Sequence, residues 1–201
     1  GDKFTRYGNG KVMKDYTHEL SGVIGEKMSR IQNYSEEKKA VVTYGIELIL
    51  NSLLKTVIYI LIGTLLGKTL EVVTAIAVFA AVRKCAGGVH AKSDTGCFLL
   101  TGAIVFTAAY GTGFLIYFPI LYGLLPLISE LLYLIYAPCD EYYVKQRGSK
   151  VWMTAKIKAL LLINGLFGMG LILGRYWGGI ILLSVFLEGI TLVRRKIRCR
   201  N

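Results

Sequence analysis

The feature that most constrains this fold is a succession of long apolar runs, which begins near residue 36 and continues almost to the C-terminus. Hydrophobic residues make up 54% of the chain, and only 18% of its residues are charged. A water-soluble domain of this composition would expose large apolar patches, whereas lipid solvates such a surface well. An apolar run of about 20 residues can cross a bilayer as one helix. We therefore expect an all-α integral membrane protein.

About six transmembrane helices are predicted, together with an N-terminal amphipathic helix that lies on the membrane interface. In that interfacial helix, over 17–34, apolar residues recur at helical spacing and charged residues largely occupy the other faces. The predicted spans are 36–66, 69–83, 98–118, 120–137, 159–174 and 176–193. Residues 1–12 lack apolar periodicity and are expected to be a remnant of the expression vector, followed by a single membrane-embedded domain over 13–201.

The cations are grouped in alternate connections between the apolar runs. Of the 24 Lys and Arg residues, eight precede residue 40, three lie in 83–92, five in 145–158 and five in 194–200. By the positive-inside rule these segments, and both termini, are cytoplasmic. The net charge of +11 therefore indicates topology and contact with anionic lipids. No basic face with interleaved aromatic residues lies outside the membrane-flanking segments, so no nucleic acid partner is expected.

The four cysteines are expected to be free thiols. Each lies in or beside a connection that is predicted to be cytoplasmic, and that compartment is reducing. They are Cys85, Cys97, Cys139 and Cys199. Because no C-x-x-C pair occurs, the sequence predicts no zinc site, and it indicates no other metal or cofactor.

A polar ridge interrupts the first apolar run. Glu47, Asn51 and Lys55 are spaced four residues apart, so they share one face of a helix. Each charge costs roughly 2.5–3.5 kcal/mol at the centre of a bilayer on insertion scales, so the ridge should face other helices or a watery cavity. It can be a buried polar network or a substrate groove. As an alternative function, it can line the path of a small membrane transporter or channel.

A second polar interruption, "RKCAGGVHAKSDTGC" at 83–97, carries candidate catalytic residues. His90 and Cys97 are seven residues apart, which is about 10 Å along one straight helix and too far for proton transfer. Gly87 and Gly88 give backbone freedom, and "KSDTG" is rich in turn formers, so the segment can fold back. Ser93 or Asp94 is a suitable N-cap, which puts Cys97 in the first turn of the third span.

This arrangement suits thiol catalysis. A helix N-terminus and a nearby imidazole both favour the thiolate, and His90 can take the thiol proton and later return it to a leaving amine. Backbone N–H groups around Gly87, Gly88 or the start of the third span can stabilise an oxyanion. Arg83 can hold a substrate carboxylate or brace the loop. Asp94 can orient the imidazole or simply cap the helix.

The same residue types and spacing also fit a segment without a catalytic role, because a buried cysteine more often packs in the core than acts as a nucleophile. Cys85 is a competing nucleophile in the same loop, although no cap-forming stretch precedes it. His18 lies on the interfacial helix and is expected to be solvated.

The order Arg83, Gly88, His90 and Cys97, in the pattern R-x4-G-x-H-x6-C, resembles the accessory gene regulator B family of membrane peptidases. The downstream "YAPCDEYYVKQR" is similar to that family's "YAP-D" segment, although Cys139 stands where a small residue is more usual. The length and the number of spans also fit, so the resemblance extends over nearly all of 13–201.

The resemblance implies a cysteine endopeptidase of the cell membrane whose active site faces the cytoplasm. Its partner would be a precursor signal peptide with an amphipathic leader and an acidic tail. Cys97 would be the nucleophile and His90 the general base, with Arg83 and Gly88 in supporting roles. The tail would leave, and the peptide would stay on Cys97 as a thioester until it cyclises to a thiolactone or lactone used in quorum sensing. Assembly into a homo-oligomer stays open.

Overall fold

The computed structural model describes residues 36–87, 94–139 and 141–198, and within them it contains seven helices and no β-strand. The predicted interfacial helix at 17–34 and the segment 1–12 lie outside the described residues. The helices are α1 (Glu36–Leu65), α2 (Thr69–Ala86), α3 (Asp94–Leu115), α4 (Pro119–Tyr136), α5 (Glu141–Lys145), α6 (Lys150–Ile172) and α7 (Gly174–Arg198).

The first helix, α1, is continuous over 30 residues, and a glycine turn ends it. Gly67 adopts a left-handed conformation with φ of 69°, which glycine reaches without steric cost. The N–H of Gly67 donates to the carbonyl of Thr64 at 3.1 Å, and that of Lys68 donates to the carbonyl of Gly63 at 2.7 Å. These two bonds form a Schellman cap, so the turn into α2 is specified locally.

Five of the helices are long and apolar enough to cross a bilayer: α1, α3, α4, α6 and α7. Many large apolar side chains point outward, among them Leu65 and Ile172, each 86% exposed. Such a surface requires lipid as its solvent, so the chain is an all-α integral membrane protein. Helix α2 has 18 residues, and three of them (Glu71, Arg83 and Lys84) are charged. That α2 crosses the membrane, and that the chain therefore has six spans, stays a prediction.

Several helices extend beyond the predicted spans. Helix α6 begins at Lys150, nine residues before its predicted span, and α7 continues to Arg198, five residues beyond its span; α3 begins at Asp94, beside the predicted N-cap and four residues before its span. At the start of α6, the side chain of Ser149 accepts the N–H of Trp152 at 3.2 Å and acts as N-cap. The apolar pattern marks only the lipid-facing part of a helix, whereas caps and charged residues decide where the helix itself starts and stops.

The chain forms two compact units, one of residues 1–62 with 91–98 and the other of 63–90 with 99–201. In the first unit, the described part consists of most of α1 and the start of α3. In the second, the buried faces of α2, α6 and α7 pack around Tyr133 of α4. Tyr133 is fully buried, and its hydroxyl donates to the carbonyl of Val185 at 2.9 Å.

At each end of this second unit, hydrogen bonds join segments that are far apart along the chain. At one end, the N–H of Cys139 donates to the carbonyl of Ala86 at 2.9 Å, and the Cys139 thiol donates to the carbonyl of Leu192 at 3.8 Å. At the other end, the ammonium of Lys68 donates to the hydroxyl of Tyr176 at 2.6 Å. The connection after α4 therefore meets the C-terminal parts of α2 and α7, while the α1–α2 turn meets the first turn of α7.

Candidate active site

The segment that precedes the candidate catalytic loop is the end of α2. Gly87 follows its last residue with φ of 75°, and its N–H donates to the carbonyl of Arg83 at 3.0 Å. Because that N–H completes the last helical turn, it is not free to bind an oxyanion in this structure. The guanidinium of Arg83 lies 5.3 Å from the ring centroid of Phe79, within range of a cation–π interaction.

Cys97 is the fourth residue of α3 as the structure describes it, since that helix begins at Asp94. Its thiol is free, and its side chain is only half-buried. The first turn of a helix has backbone N–H groups without a partner inside the helix. Cys85 is also a free, half-buried thiol, but it lies in the last turn of α2.

Tyr59 holds the residue next to Cys97, a contact that was not expected from the sequence. Its hydroxyl donates to the carbonyl of Phe98 at 2.7 Å, and the two rings stack with centroids 5.0 Å apart at an interplanar angle of 18°. Tyr59 is 3% exposed. The signal was present in the sequence, since Tyr59 lies four residues beyond Lys55 and so extends the polar ridge of α1 by one turn.

The polar ridge itself lies on one face of α1. Glu47, Asn51 and Lys55 are all half-buried, and each has an interaction partner. Both interpretations of the ridge stay open, and one turn beyond it Tyr59 reaches the start of α3.

The segment that resembles the family's "YAP-D" motif is buried against the end of α2. Ala137 and Cys139 are 2% and 6% exposed, and Pro138 between them is also buried. Cys139, which departs from the family pattern, uses its side chain to bond the carbonyl of Leu192. Residues 137–139 of this segment are therefore part of the packed interior, and the N–H of Cys139 closes the open end of α2.

Two of the predicted site residues, Gly88 and His90, lie outside the described residues, as does Cys199. Asp94 is the first described residue of α3, and its side chain is not described. Among the residues that the structure does describe, no three His, Cys, Asp or Glu side chains come together as metal ligands.

Fold and site together define a multi-pass, all-α membrane protein with a half-buried thiol at the start of a membrane-spanning helix. Within that class, the chain belongs to the accessory gene regulator B family, because the family model matches residues 21–192. The match includes the candidate loop, the "YAPC" segment and all the helices from α1 to the core-facing part of α7.

The curated relatives are similar over a shorter stretch. A "Putative AgrB-like protein" of Clostridium perfringens (strain SM101 / Type A) is 33% identical over 81 residues. A "Putative AgrB-like protein 2" of Clostridium perfringens (strain 13 / Type A) is 31% identical over 81 residues. In both cases the stretch covers 40% of this chain and 38% of the relative, so the chain spans less than two fifths of the length of these relatives. No solved structure matches the chain.

Proposed function

We propose that this protein is a membrane cysteine endopeptidase that removes the acidic C-terminal tail of a small signal-peptide precursor. Cys97 is the nucleophile and His90 the general base and acid. The observation that carries the proposal is the position of Cys97 at the start of α3, inside the stretch 21–192 that the family model matches and that also contains Arg83, Gly88 and His90.

The chemistry follows from the groups in this loop. His90 takes the proton of the Cys97 thiol, and the thiolate attacks the carbonyl carbon of the bond before the tail, forming a C–S bond. The tetrahedral oxyanion is stabilised by N–H groups at the start of α3, since the N–H of Gly87 is engaged with Arg83. The C–N bond then breaks, and His90 returns its proton to the amine of the departing tail. A Cys or Ser side chain within the peptide attacks the thioester, releasing a cyclic thiolactone or lactone and the free Cys97 thiol.

The distribution of charge and lipid-facing surface supports this class of substrate. An amphipathic leader keeps the precursor on the same membrane as the enzyme, which raises its effective concentration. The cations in 83–92, 145–158 and 194–200 attract an acidic tail.

The packing of the second unit also supports an active site on the cytoplasmic side. The end of α2 and the connection after α4, both next to cation-rich segments, meet at one end through Ala86 and Cys139. Two connections that carry few cations, "GKTLE" and "GRYW", meet at the other end through Lys68 and Tyr176. The positive-inside rule assigns the cation-rich end to the cytoplasm.

The proposal is tested with the full chain purified into liposomes and a synthetic peptide that carries an amphipathic leader and an acidic tail. Mass spectrometry is expected to detect the released tail and a peptide adduct on Cys97. Cys97→Ala and His90→Ala should each abolish tail release, whereas the matched variant Cys85→Ala should retain it.

Tail release by Cys97→Ala would overturn the mechanism. A transporter or channel function instead predicts that Cys97→Ser leaves solute flux intact, while Glu47→Gln or Lys55→Met abolishes it. The same liposomes can be loaded with solute to measure that flux.

A further inference from the structure

Tyr59 of α1 contacts the start of α3 in two ways, and no step of the proposed peptidase mechanism uses it. Its hydroxyl donates to the backbone carbonyl of Phe98 at 2.7 Å. The rings of Tyr59 and Phe98 stack with their centroids 5.0 Å apart and an interplanar angle of 18°. Because Tyr59 is 3% exposed, water hardly competes for either contact.

The two contacts hold different parts of Phe98. The hydrogen bond reaches its backbone, and the stack reaches its side chain. A helical carbonyl lies roughly parallel to the helix axis, whereas a side chain points away from that axis. Together the contacts therefore fix both the axial position of the first turn of α3 against α1 and the rotation of that turn.

The same turn of α3 carries Cys97, which directly precedes Phe98. Their Cα atoms are about 3.8 Å apart, and their side chains point about 100° apart around the helix. A shift or rotation at Phe98 therefore moves the thiol of Cys97 as well. Helix ends fray, since the first N–H groups have no partner inside the helix, so contacts from outside decide how well this turn is held.

We propose that Tyr59 is a positioning residue for the thiol of Cys97. The proposal rests on the peptidase activity proposed above, in which the Cys97 sulfur attacks a peptide carbonyl. Attack requires the reacting atoms to be aligned and about 3–3.5 Å apart, and a misplacement of about 1 Å can cost about 100-fold in rate. Tyr59 itself contacts no substrate and acts through the backbone and the ring of Phe98.

A positioning role and a purely stabilising role change different quantities. In the proposed function, the membrane and the cation-rich segments bind the leader and the tail of the precursor. Loss of a positioning contact should therefore lower kcat and leave KM nearly unchanged. Loss of a purely stabilising contact would lower the melting temperature but leave kcat of the folded protein intact.

The test measures tail release by the full chain in liposomes, well below its melting temperature, with the synthetic leader–tail peptide. Tyr59→Phe keeps the ring and removes only the hydrogen bond, and it should lower kcat about tenfold with KM within about twofold of wild type. Tyr59→Leu also removes the stack and should lower kcat about 100-fold. If Tyr59→Leu yields no folded protein, Tyr59→Phe alone decides.

Alkylation by iodoacetamide shows whether the thiol and the fold are intact in Tyr59→Phe. This small reagent can approach a sulfur from many directions, so Cys97 should react at the wild-type rate. Cys139 is 6% exposed and should stay as slow to react as in the wild-type chain.

The matched control is Tyr110→Phe. Tyr110 also lies on α3, and its hydroxyl also donates to a backbone carbonyl, that of Leu66, at 3.5 Å. It lies about 20 Å of helix beyond Cys97, so its loss should leave kcat at the wild-type value.

Wild-type kcat in Tyr59→Phe overturns the positioning role, and so does an equal loss of kcat in Tyr59→Phe and Tyr110→Phe. A wild-type chain that releases no tail counts against the peptidase proposal instead. Hydrogen–deuterium exchange then decides whether Tyr59 holds this turn: the amides of residues 98–102 should exchange at least about fivefold faster in Tyr59→Phe than in wild type. Unchanged exchange overturns the proposal.

Discussion

The backbone N–H of Cys139 donates to the carbonyl oxygen of Ala86 at 2.9 Å, so the connection after α4 completes the end of α2. The last carbonyls of a helix have no partner within the helix, and a buried one must find a donor elsewhere. Here the donor comes from a residue more than 50 positions further along the chain. The segment that resembles the family's "YAP-D" motif thereby fixes the point from which the loop with His90 leaves.

Two of the described thiols, Cys97 and Cys139, should differ in reactivity. Cys139 is 6% exposed and bonded to Leu192, whereas Cys97 is half-buried at a helix start. Alkylation requires access to the sulfur, so iodoacetamide should modify Cys97 at least about tenfold faster than Cys139 in the folded protein. Peptide mapping by mass spectrometry over a time course measures both rates. In denaturant the two should react alike, and equal rates in the folded state would contradict the structure.

Loss of the Tyr59 hydroxyl should loosen the start of α3. Tyr59→Phe keeps the stack on Phe98 but removes the 2.7 Å hydrogen bond, which should cost about 1 kcal/mol of stability. Tyr59→Ala also removes the buried ring and should cost about 3–5 kcal/mol. Unfolding monitored in detergent measures both, with Tyr44→Phe as control because Tyr44 is 58% exposed. Equal stability of Tyr59→Phe and Tyr44→Phe would refute the role of the bond.

Helices α6 and α7 approach each other closely at Gly178. A Cβ atom at this position would lie 2.5 Å from the carbonyl oxygen of Gly170 and 2.5 Å from the hydroxyl of Tyr122. Gly178→Ala should therefore destabilise the protein by about 1–3 kcal/mol, because backbone has to move. At Gly168, by contrast, a Cβ meets nothing within 4 Å.

The matched variant Gly168→Ala should be neutral, or stabilising by up to about 1 kcal/mol, because alanine favours the helix. Apparent melting temperatures of the two variants give the comparison, and a Gly178→Ala protein as stable as Gly168→Ala would show that the helices can separate freely.

The cluster at the other end of the second unit should resist moderate alkali. Tyr176, and after it Glu71, raises the pKa of Lys68 above its usual value of 10.5 by hydrogen bonding. A raised pKa in the folded state means that the stabilisation is complete below about 10.5 and is lost only as the pH climbs through the folded value. Tyr176→Phe removes the hydroxyl that bridges Lys68 and Glu71.

Tyr176→Phe should therefore be less stable than the wild-type chain by a constant amount between pH 7 and 9, and the difference should shrink above about pH 10.5. Melting temperatures across this range measure the difference. A gap that closes between pH 7 and 9 would mean that another group titrates in the cluster.

The sequence alone was sufficient for the membrane class and for most of the helices. Apolar runs and their periodicity follow directly from the need to satisfy backbone groups in lipid, so they identify spans without knowledge of tertiary contacts. The ends of the helices were harder to predict from the sequence, because caps such as Ser149 and charged extensions such as the start of α6 are not apolar. The sequence also singled out Cys97 from its cap-forming neighbours, and its catalytic role stays a prediction; the described part of α3 begins at Asp94.

Only the tertiary structure decided which distant groups meet. The contacts of Tyr59 with Phe98 and of Cys139 with Ala86 join residues that are 39 or more positions apart. Local patterns fix the period and polarity of each helix, and so determine that a buried polar group needs a partner. The partner itself depends on how the helices pack, because hydrogen bonds and charges act only over a few ångströms, whatever the separation along the chain.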